Sequence, residues 1–354
     1  MRGQATIPGL DPGPSRPLPR RVRGTSSPLP PVWTAARTQY RPLPCATILN
    51  RNRNGQHPFT WTINPYRGCR FGCPFCYARY THEYLDHRDP TSFSERIYVK
   101  FQAPQVLAET LTPEVLQAGP IAIGTATDPY QPAEKRFRIT RRILEVLCDR
   151  PGLELSITTR SPLILRDLDL LQRIGRSGRI HVNVSLITRN PSLARLLEPA
   201  APSPRSRLRM IRALTEAGVE TGAFVMPILP GITDAPAEIR SLLRGIARSG
   251  ASFSVADVAR ILGPAWISFE QTLIRHFPHL RGAYARLARN AGRFDAETID
   301  RIGERFRRIR AEEELDPKPG GDGERADHPG IRPGGWAGDL FGNMRVEPEC
   351  EKRK

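Results

Sequence analysis

The sequence contains no run of 18 consecutive apolar residues, so it predicts no membrane-spanning helix. Its amino terminus has no apolar stretch of the kind found in signal peptides, and we therefore expect a cytoplasmic protein. Six cysteines in 354 residues are too few for a disulfide framework. No internal repeat is evident. These absences exclude membrane proteins, disulfide-rich secreted domains and solenoids.

Lysine is scarce, although the chain is strongly basic. Only five of the 53 basic residues are lysine, and the formal net charge is +17. A basic chain suggests a polyanionic partner such as DNA or RNA. A genome rich in GC codons would also favour arginine over lysine without any selection for nucleic-acid binding. The charge leaves both explanations open.

Proline, glycine and arginine are concentrated at the two ends of the chain. Residues 1–45 are rich in proline and arginine and predict a disordered arm. Residues 316–354 predict a disordered tail for the same reason. Between them we expect a core domain at 46–262 and a helical extension at 263–315, in which Pro264–Phe277 and Ala296–Glu314 are the predicted helices.

The middle of the chain alternates apolar, strand-like runs with helical periodicities. This alternation predicts an α/β fold with a parallel sheet covered by helices. We expect a partial (β/α)6 TIM-type barrel with a C-terminal helical extension and disordered termini, and a doubly wound open sheet is the alternative. The predicted strands are Phe59–Ile63, Ile121–Thr127, Leu153–Thr159, Ile180–Thr188, Thr221–Leu229 and Ser252–Val258.

Three cysteines lie close together directly after the first predicted strand. Cys69, Cys73 and Cys76 form a CxxxCxxC pattern that two glycines and a proline bend into a loop. Soft thiolates select zinc, Cu(I) or iron–sulfur clusters. A [4Fe–4S] cluster with three cysteine ligands keeps one iron open for a non-protein ligand. A structural zinc would instead need a fourth protein ligand, for which His82 and His87 are candidates.

Polar residues collect where the later strands end, which is where barrels place their active sites. Such residues also cap helices or fill tight interiors, so each has a purely structural alternative. At the fifth strand end the chain is apolar and offers a shelf for an adenine ring. The candidate cofactor-binding residues are Thr125, Thr127, Asp128, Arg160, Ser161, Ser185, Arg207 and Pro227.

The cysteine spacing, with an aromatic residue before the last cysteine, resembles the radical S-adenosylmethionine (SAM) superfamily. Within it, the chain is similar to the spore photoproduct lyase-like branch over roughly residues 46–280. The matching stretches are Thr62–Glu83, Asp128–Glu134, Leu163–Leu171, Glu198–Leu208 and Pro227–Asp234.

The resemblance implies a role for each candidate cofactor residue. The three cysteines would ligate the cluster, and its open iron would chelate the amino and carboxylate groups of SAM. The segment Thr125–Asp128 would receive the SAM amino group, although the family motif there is usually Gly-Gly-Glu. Arg160 would meet the SAM carboxylate, Ser185 would face the ribose, and Arg207 would contact a carboxylate or the substrate.

The resemblance also implies an enzyme of lyase or transferase type. A flavodoxin or ferredoxin would supply an electron, SAM would be cleaved reductively, and a 5′-deoxyadenosyl radical would abstract hydrogen from an unidentified substrate, for which nucleic acid is one candidate. Spore photoproduct lyase uses a further cysteine after the cluster motif, but this chain has none between Cys76 and Cys148. Photoproduct repair by the same route is therefore not expected.

Two rival hypotheses and a set of substrate-side candidates remain at this stage. One rival is a zinc-stabilised nucleic-acid-binding protein without turnover, and the other is a degenerate barrel that keeps a structural cluster. The polar strand ends argue against the second rival. The substrate-side candidates, each with packing around the cluster as its alternative role, are Tyr66, Arg67, Tyr77, Arg79, His82, Tyr98 and Tyr130.

Overall fold

The computed structural model describes residues 33–35, 38–52, 57–289 and 292–313. Its strands form two sheets, one of four strands and one of seven. The strands are β1 (Trp33–Ala35), β2 (Thr38–Pro42), β3 (Asn50–Arg51), β4 (Trp61–Ile63), β5 (Tyr66–Arg67), β6 (Arg96–Val99), β7 (Ile121–Ile123), β8 (Glu154–Thr159), β9 (Arg179–Ser185), β10 (Glu220–Ile228) and β11 (Phe253–Val258).

Helices connect the strands of the larger sheet and extend the chain beyond it. They are α1 (Ser92–Glu95), α2 (Ala103–Thr110), α3 (Pro113–Gln117), α4 (Pro132–Phe137), α5 (Ile139–Leu147), α6 (Leu168–Ser177), α7 (Pro191–Leu197), α8 (Pro204–Glu216), α9 (Pro236–Ala247), α10 (Pro264–His276), α11 (Arg281–Ala285) and α12 (Ala296–Glu312). Short 3-10 helices span Tyr77–Leu85, Pro162–Asp167, Pro278–Leu280 and Arg286–Arg289. No helix of the described residues is both long enough and apolar enough to cross a membrane.

The larger sheet is built on six parallel strands whose spatial order follows the chain. The order is β4, β7, β8, β9, β10, β11, with β3 antiparallel on the outer side of β4. A doubly wound sheet reverses its strand order part-way across, and this sheet does not, so that alternative is wrong. Over the described residues the sheet stays open, because β11 pairs with β10 alone.

The two faces of the larger sheet have different partners. One face packs against the helices through alternating apolar residues, among them Leu155 and Ile157 of β8 and Val182 of β9. The register places Thr158 beside Asn183 and Asn183 beside Gly222 on the opposite face. We call this opposite face the inner face. Parallel βα units bring every loop that follows a strand to the same edge of the sheet, so the candidate site residues gather there.

The smaller sheet corrects the expectation of a disordered arm over residues 1–45. Thr38–Pro42 forms β2, which pairs in parallel with β6. Thr38 and Tyr40 are buried, because alternate side chains of β2 face the core, and Tyr40 packs edge-on against Phe137 at 5.3 Å. Proline content hid this short alternation in the sequence. The rest of the expected arm, residues 1–32, and the expected tail, 316–354, lie outside the described residues.

The helices after residue 263 pack onto the rest of the chain. Phe269 and Leu273 of α10 are buried in the same apolar cluster as the cysteine loop, and Phe269 lies 6.5 Å from the ring of Phe75. Ile302 and Phe306 of α12 join the main core. The helices begin where they were predicted and end one or two residues earlier. The division of the chain into domains at residue 263 stays a prediction.

Candidate functional site

The cysteine loop lies between β5 and the 3-10 helix that begins at Tyr77. Cys69 and Cys73 are buried, Cys76 is partly exposed, and all three thiols are free. The backbone N–H of Cys69 donates to the carbonyl of Phe93 at 3.0 Å, and the N–H of Cys76 donates to the carbonyl of Cys73 at 3.3 Å. The loop is therefore held in place through its backbone, which leaves its thiols available as ligands.

Gly68 is required immediately before the first cysteine. Its φ of +84° lies in the left-handed region that side chains disfavour. A Cβ there would also come within 2.8 Å of the carbonyl oxygen of Phe93 and 2.9 Å of His82 Cε1. Glycine thus allows the loop to pass close to its neighbours, and any larger residue would displace Cys69.

The environment of the buried thiols opposes their ionisation in the protein alone. Burial raises the pKa of Cys69 well above its usual range, and nearby Asp128 raises it further. Burial likewise raises the pKa of Cys73 to about 12, although Arg160 acts in the opposite direction. Thiolates at these positions need a positive partner of their own, and a bound metal group supplies one.

The segment after β7 clamps the cysteine loop. The carbonyl oxygen of Gly68 accepts hydrogen bonds from Thr127 Oγ1 at 2.6 Å and from Gln131 Nε2 at 2.9 Å. The other amide atom of Gln131, Oε1, accepts from the backbone N–H of Arg70 at 3.0 Å. Thr127 was predicted to contact SAM, and the structure engages its hydroxyl with the loop. Its contact with SAM stays a prediction.

A buried carboxylate fixes the other side of this clamp. Glu134 is fully buried and accepts from Tyr66 Oη at 2.5 Å, from the backbone N–H of Thr140 at 2.9 Å and from Arg166 at 2.8 Å. Tyr66 lies three residues before Cys69. The segment Asp128–Glu134 therefore positions the cysteine loop through both its carbonyl and a preceding side chain.

Asp128 joins the ends of two neighbouring strands. Its carboxylate accepts from the backbone N–H groups of Tyr130 and Arg160, at 2.9 and 2.7 Å, and from Thr159 Oγ1 at 2.7 Å. Burial raises the pKa of Asp128 despite these donors. The predicted role as a SAM amino contact has to coexist with three protein donors, and it remains a prediction.

Thr125 lies at the partly exposed turn before Asp128. Its Oγ1 accepts from Asn64 Nδ2 at 3.0 Å, while Asn64 Oδ1 accepts from the backbone N–H of Ala126 at 2.8 Å. The backbone carbonyl of Thr125 accepts from the Tyr77 hydroxyl. Asn64 ends β4, so one amide side chain ties the first strand of the site to the turn after the second.

Arg160 and Arg207 share one buried carboxylate. Glu198 Oε1 accepts from Arg160 Nε at 2.7 Å, and Glu198 Oε2 lies 2.7 Å from Arg207 NH1. Burial by itself raises the pKa of Glu198, but the two guanidinium groups outweigh it and hold the pKa below its usual value. Both arginines also interact electrostatically with Cys73. This Arg–Glu–Arg group therefore borders the cysteine loop.

The remaining predicted residues occupy the edge of the same sheet. Arg207 also donates to the carbonyls of Ser185 at 3.0 Å and Pro202 at 2.9 Å, and it is fully buried. Ser185 is buried at the end of β9. Ser161 caps a 3-10 helix by accepting from the N–H of Leu163 at 3.3 Å. Pro227 is partly exposed near the end of β10.

Several substrate-side candidates are used to support the loop. Arg79 is buried and donates to the carbonyls of Cys73 at 2.8 Å and Gly72 at 3.2 Å, so its charge lies behind the cysteines. His82 Nε2 contacts the carbonyl oxygen of Arg96 at 2.9 Å, and burial lowers the pKa of His82 to about 4. Both side chains stabilise the loop from behind.

The chemistry of the donor set fits an iron–sulfur cluster. Three free thiols lie in one backbone-held loop, with the buried guanidinium of Arg79 interacting electrostatically with all of them. Neither histidine considered as a zinc ligand faces this set, because His82 binds a carbonyl and His87 binds Tyr98 and Arg96. Across the described ranges, no three His, Cys, Asp or Glu side chains converge on the position of a single ion.

Sequence reasoning overlooked Asn64, Gln131, Glu134 and Glu198 as site residues. Gln131 and Glu134 stand in the matching stretch Asp128–Glu134, and Glu198 begins another such stretch. That membership was the available signal. Their function depends on partners more than 30 residues away, which only the folded chain brings together.

Comparison with protein-family models gives one match, described as the radical SAM superfamily. It covers residues 63–243, which is more than half of the chain. The matched range includes the three cysteines and runs into α9. It also includes Asn64, Gln131, Glu134 and Glu198, which the sequence reasoning had missed.

Relatives with curated sequences share the same region. An uncharacterised protein of Mycobacterium tuberculosis is 36% identical over 246 residues, covering 69% of this chain and 72% of its own length. An uncharacterised protein of Methanocaldococcus jannaschii is 33% identical over 174 residues, covering 49% of this chain and 62% of its own. A radical SAM Nalpha-GlyT isomerase of Pseudomonas phage M6 is 28% identical over 187 residues, covering 52% of this chain and 36% of its own.

Among solved structures, spore photoproduct lyase has a similar fold. Its complex with dinucleoside spore photoproduct gives a TM-score of 0.54 at 18% identity, covering 76% of this chain and 77% of the lyase. A variant of that lyase has been solved with bound AdoMet, which is SAM. At this identity the likeness concerns the fold.

Proposed function

This chain belongs to the radical SAM superfamily, and from that membership we propose that Cys69, Cys73 and Cys76 ligate its [4Fe–4S] cluster beside a SAM site at the sheet edge. The family uses a [4Fe–4S] cluster and SAM, so the protein is an enzyme with these cofactors. The chemistry they supply when bound is reductive cleavage of SAM, followed by hydrogen abstraction from a substrate. The zinc-binding alternative has no support.

The observation that carries the proposal is the clamp on the cysteine loop. Thr127 and Gln131 both donate to the carbonyl of Gly68, and Glu134 fixes Tyr66 three residues before Cys69. These partners hold the loop against the ends of β4 and β7. A fixed loop keeps three thiolates in one geometry, which a cluster with an open iron requires.

We assign the SAM site to the edge formed by β7, β8 and β9. Arg160 is largely buried between Glu198 and Cys73, so its guanidinium lies close to the cluster ligands and is suited to the SAM carboxylate. Thr125, Thr127 and Asp128 border the same space beside Ser161. Ser185 and Arg207 would line the ribose side, and Pro227 the adenine side.

The open six-stranded sheet is, in this proposal, a partial (β/α)6 barrel with its inner face around the reacting groups. Its strands follow one another in order, as in a barrel, and β10 and β11 contribute apolar side chains to the inner face. These residues would exclude water and position the C–H bond of the substrate. An electron donor of flavodoxin or ferredoxin type completes the reaction, in a cytoplasmic setting.

Anaerobic purification with metal analysis tests the proposal. We expect a brown protein with about four irons and four sulfides per chain, which releases 5′-deoxyadenosine when given dithionite and SAM. Replacing all three loop cysteines by alanine should remove the colour, the iron and the cleavage. Cys148→Ala is the matched control, because Cys148 is a buried core residue whose thiol contacts only the carbonyl of Leu170, at 3.9 Å, among the bonds resolved. A colourless reconstituted protein that holds one zinc would contradict the proposal.

For the substrate, a nucleic acid is the class that the net charge of +17 favours. The spore photoproduct lyase structures with a dinucleoside photoproduct add a fold-level parallel. Deleting residues 1–32 removes five arginines and leaves β2 intact. If the arm binds phosphates, the deletion should flatten the salt dependence of binding by about 0.9 per contact on duplex and about 0.7 on single strands.

Fluorescence anisotropy with labelled duplex and single-stranded oligonucleotides at several salt concentrations measures this slope. SAM cleavage without substrate should survive the deletion, because the cysteine loop and its clamp are retained. Absence of binding to DNA and RNA at low salt would remove nucleic acid as the substrate class and leave the cluster assignment intact.

A further inference from the structure

A series of aromatic rings leads from the back of the cysteine loop to the protein surface. His82 lies against Gly68, since a Cβ on that glycine would be 2.9 Å from His82 Cε1. The ring of His82 is 5.8 Å from that of His87 and 5.7 Å from that of Tyr98. His82 is buried, whereas His87 is partly exposed. The rings thus connect the residue before Cys69 with the surface.

The far end of this series is a tight pair. His87 Nε2 and the Tyr98 hydroxyl are 2.5 Å apart, and their rings stack with centroids 6.0 Å apart. The second ring nitrogen of His87 lies 2.8 Å from Arg96 NH1. Burial, followed by Arg96 and Arg41, lowers the pKa of His87, so the positive charge of this region comes from arginine.

The smaller sheet places three arginines around that pair. The register sets Tyr98 of β6 opposite Arg41 of β2 on one side and opposite Arg67 of β5 on the other. Arg96 lies two residues before Tyr98 and therefore points to the same face of the sheet. The opposite face, which includes Tyr40, Ile97 and Val99, is buried in the main core. We call the residues Arg41, Arg67, Arg96 and Tyr98 the arginine face.

The charged neighbours of the arginine face come from the end of the 3-10 helix and the loop after it. Arg88 is exposed there, and it is accompanied by Glu83, Asp86 and Asp89. Asp89 is engaged locally, because it accepts from the backbone and hydroxyl of Thr91 at 2.9 and 2.7 Å. The strands β2, β5 and β6 contribute arginine and no acid to this surface.

We propose that the arginine face is the docking surface for a small acidic electron-transfer protein that reduces the cluster through the His82–His87–Tyr98 side of the loop. The step is a one-electron transfer: a flavin hydroquinone in the donor loses one electron, and the cluster passes from its 2+ to its 1+ state. This proposal rests on the proposed function. It separates electron entry from the inner face, so a donor docks while substrate is bound.

Anaerobic stopped-flow measurement of cluster bleaching tests the docking surface with full-length, reconstituted protein. The probes are a bacterial flavodoxin hydroquinone, a reduced 2[4Fe–4S] ferredoxin and dithionite. The test variant is Arg41→Glu with Arg67→Glu, and the matched control is Arg205→Glu with Arg209→Glu, two exposed arginines of α8. Iron content and circular dichroism establish that each variant retains its cluster and fold.

At low ionic strength we expect at least one protein donor to reduce the test variant about tenfold or more slowly than wild type, with the difference shrinking as salt rises. The control variant should follow wild type. Dithionite should reduce all three proteins at rates within about twofold, because a small reductant does not need the docking surface.

Equal rates with the protein donors for test and control variants would overturn the docking surface. So would an equal loss of dithionite reduction in the test variant, since that indicates a changed cluster. If dithionite reduces wild type and neither protein donor does, the docking proposal fails while the proposed function stands. A protein without a cluster overturns both.

Discussion

The two halves of the sheet edge differ in how their side chains are held. On the side of β4, β7, β8 and β9, polar groups have several protein partners: Asp128 accepts three hydrogen bonds and Glu198 binds two arginines. On the side of β10 and β11, the inner face carries Phe224, Met226 and Val255, which pack on one another. We call the first the cofactor half and the second the apolar half.

The difference indicates what each half has to do. A cofactor shared by a whole family needs the same geometry in every member, and buried hydrogen-bond networks provide it because each unpaired group would cost free energy. An apolar wall excludes water and accepts changes of shape at small cost. We therefore expect substitutions in the cofactor half to be severe and those in the apolar half to be mild.

The largest effect should come from Glu198→Gln. The change leaves the guanidinium groups of Arg160 and Arg207 facing each other in a buried site without their carboxylate. We expect the free energy of unfolding to fall by about 3–5 kcal/mol, as for other broken buried ion pairs. Urea unfolding followed by circular dichroism at pH 7 measures the loss.

Glu216→Gln, an exposed change at the end of α8, is the control and should stay within about 0.5 kcal/mol of wild type. The pKa of Glu198 is held below its ordinary value of 4.5, so its stabilisation is complete above about pH 4.5 and is lost as the pH falls further. The gap between wild type and Glu198→Gln should therefore narrow in acid. A constant gap from pH 7 to pH 3 would contradict this account.

Arg160→Ala should have the next largest effect, on cofactor affinity. If the Arg160 guanidinium binds the SAM carboxylate, its loss should weaken SAM binding by roughly 1.5–3 kcal/mol. Anaerobic titration calorimetry of the reconstituted protein measures the affinity. Iron content is measured in parallel, because Glu198 keeps only Arg207 as its partner in this variant.

Arg189→Ala serves as the control, since Arg189 is exposed after β9 and donates to the backbone carbonyl of Ser241 at 2.9 Å. Its SAM affinity should equal that of wild type. An unchanged affinity in Arg160→Ala would remove Arg160 from the SAM site and leave the cluster assignment standing. It would also weaken the contrast between the two halves.

Phe224→Leu should have the smallest effect. Phe224 is partly exposed on the inner face of β10 and packs against Phe253 and Val255. An apolar replacement should cost less than about 1.5 kcal/mol of stability. Release of 5′-deoxyadenosine in the absence of substrate should stay within about twofold of wild type, a difference well under 1 kcal/mol in barrier height.

Chromatographic measurement of 5′-deoxyadenosine, with iron content as the reference, checks this prediction. A large loss of cleavage with a full cluster would place Phe224 among the groups that hold SAM. The apolar half would then belong to the cofactor site, and the comparison would have to be redrawn.

Most of the larger sheet was predictable from the sequence, because each parallel strand is a short apolar run bounded by turn residues. The smaller sheet was not, since β5 and β6 are two and four residues long and show no clear alternation. Thr127 and Asp128 were recognised as site residues from their position after an apolar strand. Their partners, the carbonyl of Gly68 and the N–H of Arg160, were not predictable from position.

The sequence by itself determined the cysteine loop, because three thiols within eight residues are a local property that spacing reveals. It also determined the parallel α/β class through the alternation of apolar runs and helical periods. The tertiary structure alone decided which groups meet: Glu198 with Arg160 and Arg207, Glu134 with Tyr66, and His82 with Gly68. These contacts depend on which strands are neighbours, and strand order is set by long-range packing that no local pattern encodes.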